Sequence, residues 1–75
     1  MEVIFLYDYS KLRGKIKEVF CTQDDFADQL GIGRVSLSKR LTNKLEFSQS
    51  EIKKACDLLD IPPDEVSKYF FTLKV

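Results

Sequence analysis

The chain has 75 residues and a formal net charge of zero, with 12 lysines plus arginines and 12 aspartates plus glutamates. The 44% hydrophobic and 32% charged residues are typical of a folded domain and argue against disorder. Two cysteines without a histidine exclude a zinc site of cysteine and histidine ligands, and no run approaches the ~20 apolar residues of a membrane span. We therefore expect one cytoplasmic domain, residues 1–75, without a metal or cofactor.

The first predicted helix follows Ser10, a residue suited to the N-cap position. At helical spacing its apolar face comprises Leu12, Ile16, Val19 and Phe20. Gly14 lies inside this helix, where glycine costs ~1 kcal/mol relative to alanine. We expect a close helix crossing at Gly14 to offset that cost.

The second predicted helix begins after Thr22, whose side chain can cap it. Asp24 and Asp25 fall in the first turn, where the helix dipole favours negative charge by ~0.3–1 kcal/mol. The inward side comprises Phe26, Ala27 and Leu30. Gly31 is placed to end the helix in the left-handed conformation that glycine adopts most easily.

The third predicted helix, about residues 34–41, opens the most basic part of the chain. Residues 33–54 carry a net charge of +4, whereas residues 19–32 carry −3. Leu37 and Leu41 are one turn apart and face inward, with Val35 and Lys39 roughly opposite. Because a phosphate backbone responds to the local field, a neutral chain can still present a positive surface to DNA.

A fourth predicted helix starts with a capping box formed by Ser48 and Glu51. Its buried stripe comprises Ile52, Ala55, Cys56 and Leu59. A short fifth helix begins near Pro63, a residue favoured at the first helical position. The apolar terminal segments EVIFLY and FFTLKV are β-prone, so we expect some extended pairing between them; further helix packing or a dimer contact are the alternatives.

The segment TQDDFADQLGIGRVSLSKRL, residues 22–41, has the spacing of a helix-turn-helix. Counted from Gln23, the small Ala27 is fifth and Gly31 is ninth, in the turn. Ile32 is tenth and Leu37 fifteenth, where both fill the space between the two helices. An ordinary helical hairpin is the alternative, since such hairpins also use glycine turns.

These residues resemble the Cro and cI-like (XRE-type) helix-turn-helix regulators, and more narrowly the small phage-type regulators of Gram-positive bacteria. The matching stretches are YDYSKLRGKI (7–16), TQDDFADQLGIGRVSLSKRLTNKLEFSQSEIKKACDLLDIP (22–62) and KYFFTLKV (68–75). The resemblance implies a compact all-α domain of five helices with a lambda-repressor-like fold. It also implies binding to double-stranded operator DNA, often as a homodimer, in the nucleoid of a bacterial host.

The resemblance places the start of the third helix at the base edges in the major groove. The residues implied in base contacts are Gly33, Arg34, Val35, Ser38 and Lys39. An arginine such as Arg34 can pair with guanine, and an apolar side chain such as Val35 suits a thymine methyl group. Val35 could equally be an isolated exposed apolar residue, which is common on protein surfaces.

Phosphate contacts are predicted for Gln23, Arg40, Asn43 and Lys44. The resemblance implies those of Asn43 and Lys44, and for Gln23 it implies either a phosphate contact or a brace for the third helix. The positive charge of Arg40 suggests its own contact. Arg40 also departs from the family pattern, because its position is commonly apolar. We expect Leu41 to be buried instead, with either a small rotation of the helix or an Arg40 side chain that snorkels to solvent.

The leading prediction is a sequence-specific DNA-binding regulator. The alternative is a protein-interaction module of the same fold, such as an antirepressor that binds another regulator. The sequence shows no small-molecule site, no histidine, no glycine-rich phosphate loop and no paired carboxylates in an evident cleft, on which an enzyme would depend. We therefore expect no catalytic activity.

Overall fold

The computed structural model describes residues 6–74 of the chain. These residues form five α-helices and one short 3-10 turn. In chain order they are α1 (Ser10–Phe20), α2 (Gln23–Leu30), α3 (Arg34–Leu41), α4 (Gln49–Leu59), the 3-10 turn (Pro63–Glu65) and α5 (Val66–Phe70). The predicted all-helical fold with a short fifth helix is therefore confirmed.

One apolar core lies between the five helices. Its largest fully buried side chains are Phe26, Phe70, Leu12, Ile16, Leu37 and Leu59. Each α-helix buries at least one residue in this core. The stability of each helix therefore depends on packing against its neighbours. None of the helices in residues 6–74 has the length and hydropathy needed to span a bilayer.

Helix α1 differs from its prediction in three places. Ser10 is the first helical residue rather than the N-cap, and its amide and hydroxyl donate hydrogen bonds to the Asp8 carboxylate. A Cβ at Gly14 would meet nothing within 4 Å, so the expected close crossing there is wrong. Val19 is 44% exposed, whereas Ile16 is buried in the core and Phe20 is half-buried against it.

The turn between α2 and α3 follows the helix-turn-helix spacing. The Thr22 hydroxyl accepts a hydrogen bond from the Asp25 amide at 3.1 Å and caps α2. Gly31 adopts φ +85°, a conformation that an L side chain would strain, and its amide donates to the Ala27 carbonyl. Ala27 and Leu37 are buried, so α3 packs closely against α2.

The predicted capping box at α4 is present. The Ser48 hydroxyl accepts from the Glu51 amide at 3.2 Å, and the Glu51 carboxylate accepts from the Ser48 amide at 3.0 Å. Two backbone donors at the start of α4 are thereby satisfied, which fixes where the helix begins.

The two ends of the described chain lie side by side. Tyr7 and Leu73 form an isolated antiparallel bridge, flanked by hydrogen bonds from the Asp8 amide to the Thr72 carbonyl and from the Lys74 amide to the Leu6 carbonyl. The predicted extended pairing of the termini is confirmed at this bridge. The part of that prediction that concerns residues 2–5 and 75 lies outside the described residues.

Candidate functional site

A shallow depression of about 510 Å³ lies on the outer side of α2 and α3. We call this surface the α2–α3 face. It is lined by Gln23, Asp24, Arg34, Val35, Ser38, Lys39, Thr42 and Lys44. Six of the nine residues with a predicted DNA contact are therefore on one surface, and Gly33 borders it at the N-cap of α3. The two others, Arg40 and Asn43, lie elsewhere.

The helix-turn-helix geometry explains why these side chains face outward. Leu37 is fully buried against α2, so the opposite side of α3 has to face solvent. Val35 on that side is 63% exposed, the most exposed large apolar residue in the described chain. Lys39 and Lys44 are exposed as well, and both line the depression.

Asp24 adds a negative charge to the face. Its Oδ2 atom lies 3.6 Å from Nη1 of Arg34, and the two side chains are 63% and 74% exposed. An ion pair this exposed stabilises the fold by at most ~1 kcal/mol, so Arg34 can exchange Asp24 for another partner. The sequence placed Asp24 correctly at the start of α2, yet it gave no sign of the contact with Arg34.

Arg40 is turned away from the α2–α3 face and toward α4. Its Nε and Nη2 atoms donate to the two Glu51 carboxylate oxygens at 2.9 and 3.1 Å, and Nη1 donates to the Ser36 carbonyl at 2.9 Å. The side chain is only 15% exposed. The guanidinium is thus bound within the protein, and the phosphate contact of Arg40, which stays a prediction, would compete with these hydrogen bonds.

Glu51 joins this brace to the capping box of α4. Burial acts to raise the pKa of its carboxyl group, but hydrogen bonds from Arg40 and from the Ser48 amide outweigh burial and leave the pKa below its ordinary value. Glu51 is therefore charged at neutral pH. It connects the end of α3 to the beginning of α4 through a two-pronged hydrogen bond.

Asn43 also has an internal partner. Its Oδ1 atom accepts from the Tyr7 amide at 2.9 Å, and its Nδ2 atom donates to the Tyr7 carbonyl at 3.0 Å. The Asn43 side chain thus pairs with the backbone amide and carbonyl of Tyr7, as the backbone of a paired β-strand does. The residue has φ +65°, which asparagine tolerates better than most residues. The predicted phosphate contact of Asn43 would compete with both hydrogen bonds.

The fold and the α2–α3 face define a small helical protein with a helix-turn-helix. The family described as "protein of unknown function (DUF739)" matches residues 5–73, so the chain belongs to that family. It is also similar to the modulator of repression (MOR) of the temperate bacteriophage TP901-1 from Lactococcus lactis, whose structure was determined in solution. The identity is 42% over 87% of this chain and 88% of that chain, with a TM-score of 0.77. Among curated proteins there is no match.

The family match over residues 5–73 spans α1 to α5 rather than the helix-turn-helix alone. The chain therefore resembles a phage regulatory protein as a whole, which agrees with the predicted phage-type regulator at that level. Membership of the Cro and cI-like group stays a prediction, as do operator binding and the individual contacts.

Proposed function

We propose that the chain modulates repression by binding another transcription regulator through the α2–α3 face, without catalysis, in the cytoplasm of a bacterial host. The observation that carries this proposal is the mixed character of the face. An exposed apolar Val35 lies among an acid, Asp24, and the cations Arg34, Lys39 and Lys44. The similarity to a phage protein that is a modulator of repression supports the same role.

A protein partner suits this surface because protein interfaces combine an apolar centre with a polar rim of both charges. Val35 supplies the apolar centre, and the Asp24–Arg34 pair supplies adjacent charges of opposite sign. A duplex presents phosphates along the whole contact, and affinity for it depends on how many of them are neutralised. Arg40 and Asn43, which were expected to contribute to that contact, are bound inside the protein.

Direct operator binding is the second candidate, favoured by the ordered packing of Ala27, Gly31 and Leu37 that presents α3 outward. In this case α3 enters the major groove of a palindromic site as part of a homodimer. The base contacts are then those of Gly33, Arg34, Val35, Ser38 and Lys39, while Gln23 and Lys44 contact phosphates.

Two parallel measurements separate the candidates. The first is a selection of bound sites from random duplexes at low salt with the purified chain. The second is a titration of the chain into a complex of the operator with the repressor of the same phage genome, followed by gel shift. Release or alteration of the repressor complex without any enriched duplex site supports the protein partner. An enriched palindrome with half-sites about one helical turn apart supports direct DNA binding.

Matched variants sharpen the decision. If the chain binds DNA, Lys44→Ala lowers the slope of log affinity against log salt by ~1, and Arg34→Ala costs ~1–3 kcal/mol on the selected site and relaxes one base position. Asp24→Asn then raises the affinity for duplex DNA, because it removes from the face a negative charge that repels the phosphates.

If the chain binds a regulator, Val35→Asp abolishes the effect on the repressor complex. Lys17→Ala on α1, outside the face, is the control for both assays.

A further inference from the structure

Asp24 lies on the border between two surfaces of opposite charge. Among the described residues that line the α2–α3 face it is the one acid, and the other charged residues there are cations. Asp24 and Arg34 also line a neighbouring depression of about 220 Å³, which they share with Asp25 and Asp28. The proposed function uses the mixed charge of the face but gives Asp24 itself no task.

The beginning of α2 lies at the edge of the α2–α3 face. The Thr22 hydroxyl satisfies the Asp25 amide, but the amides of Gln23 and Asp24 have no partner among the described residues. Free amides and the positive end of the helix dipole make such a terminus attractive to a phosphate group. Here the carboxylates of Asp24 and Asp25 supply the negative charge from within the chain. A phosphate that approaches this terminus therefore meets charge of its own sign.

Asp24 also engages Arg34 at the start of α3, with Oδ2 and Nη1 3.6 Å apart. An arginine reads guanine through two parallel hydrogen bonds, which need a guanidinium free of other partners. A duplex that takes Arg34 therefore leaves Asp24 unpaired beside phosphates, and like charges repel. A protein partner can offer a cation to Asp24 in the same step, so it avoids this cost.

We propose that Asp24 determines the specificity of the α2–α3 face. It favours a regulator that offers a lysine or arginine to Asp24 and an apolar side chain to Val35, and it disfavours duplex DNA. This inference rests on the proposed function and names the residue that separates it from direct operator binding. Specificity is a difference of two affinities, and Asp24 shifts the two in opposite directions.

The test measures two affinities of the full chain and its variants. One is for a random-sequence duplex at low salt, by fluorescence anisotropy, and the other is for the purified repressor of the same phage genome, by calorimetry. Asp24→Asn raises the duplex affinity by roughly fivefold or more. It also steepens the dependence of log affinity on log salt by about 0.9, because the freed Arg34 neutralises a phosphate. The same variant weakens the repressor complex by roughly fivefold or more, because the partner's cation loses its acid.

Two further variants separate Asp24 from a general effect of charge. Asp28→Asn makes the same change on the same helix but outside the α2–α3 face, and it alters either affinity by no more than roughly twofold. Combining Asp24→Asn with Arg34→Ala removes the steeper salt dependence, because that change acts through the freed guanidinium. Circular dichroism verifies that each variant remains helical.

The two assays also distinguish failure of the inference from failure of the proposed function. A wild-type chain that does not bind the repressor refutes the proposed function, and this inference with it. A wild-type chain that binds the repressor, with Asp24→Asn equal to Asp28→Asn in both assays, overturns the role of Asp24 alone. The same holds if Asp24→Asn shifts both affinities in one direction, because Asp24 then does not discriminate between the two partners.

Discussion

The two sides of α3 carry similar residue types but behave differently. On the outer side, Val35 and Lys39 are exposed to solvent. On the inner side, Leu37 is fully buried and Arg40 is bound to Glu51 at the start of α4. Lys39 and Arg40 are adjacent cations, yet Lys39 is exposed to solvent and Arg40 is held by Glu51. The difference shows that the neighbouring helix, rather than the charge of a residue, decides whether a basic side chain stays exposed or is bound within the fold.

The largest expected contrast between the two sides of α3 concerns its apolar residues. Leu37→Ala leaves a cavity in the core, and we expect it to lower the free energy of unfolding by ~2–5 kcal/mol. Val35→Ala on the outer side should change it by no more than ~0.5 kcal/mol. Urea unfolding followed by circular dichroism measures both. A large loss for Val35→Ala would mean that the exposed side also supports the fold.

The next contrast concerns the cations. Arg40→Ala should lower the free energy of unfolding by about 1–3 kcal/mol, because the poorly exposed Glu51 carboxylate loses its two charged hydrogen bonds. Lys39→Ala should have almost no effect on stability. A double-mutant cycle of Arg40→Ala with Glu51→Ala should give a coupling energy of ~1 kcal/mol or more. Additive losses would show that the two residues act independently.

The smallest effect is a dependence of stability on pH. The pKa of Glu51 is lower in the folded chain than its ordinary value of 4.5, so its stabilising contribution is complete above about pH 4.5. That contribution is lost as the pH falls through the lower pKa of the folded state. We expect acidification from pH 7 to pH 3 to destabilise the wild-type chain more than the Glu51→Gln variant.

Asp8 does not obscure this comparison. Hydrogen bonds from the side chain and amide of Ser10 also lower the pKa of its carboxyl group, but the residue is present in both proteins. Its contribution therefore cancels between them. Equal losses in the wild type and the variant would show that the charge of Glu51 adds nothing to the fold.

The local features of the fold could be predicted from the sequence. The caps at Thr22 and Ser48 and the left-handed Gly31 depend on residues within a few positions of one another, so a short pattern is sufficient. The helix-turn-helix spacing likewise placed six predicted contact residues on one surface. Each of these depends on the helical period and on the preferences of single residues.

The contacts between distant residues could not be predicted in this way. Arg40 and Glu51 lie 11 positions apart on different helices, and Asn43 and Tyr7 lie 36 positions apart. No periodic pattern indicates which cation or amide will find an internal partner. The expected crossing at Gly14 was wrong for the same reason, because whether another helix passes nearby depends on the packing of the whole domain.

The bridge between Tyr7 and Leu73 has a consequence for how the chain can be cut and rejoined. It holds both described ends together, and Asn43 attaches them to the residues that follow α3. In effect residues 6–74 form a ring that is closed by non-covalent contacts between residues 6–8 and 72–74. A circularly permuted chain, joined across these contacts by a short linker and opened in the exposed loop around Glu46, should keep every helix in place. The new termini would then lie in the loop between α3 and α4.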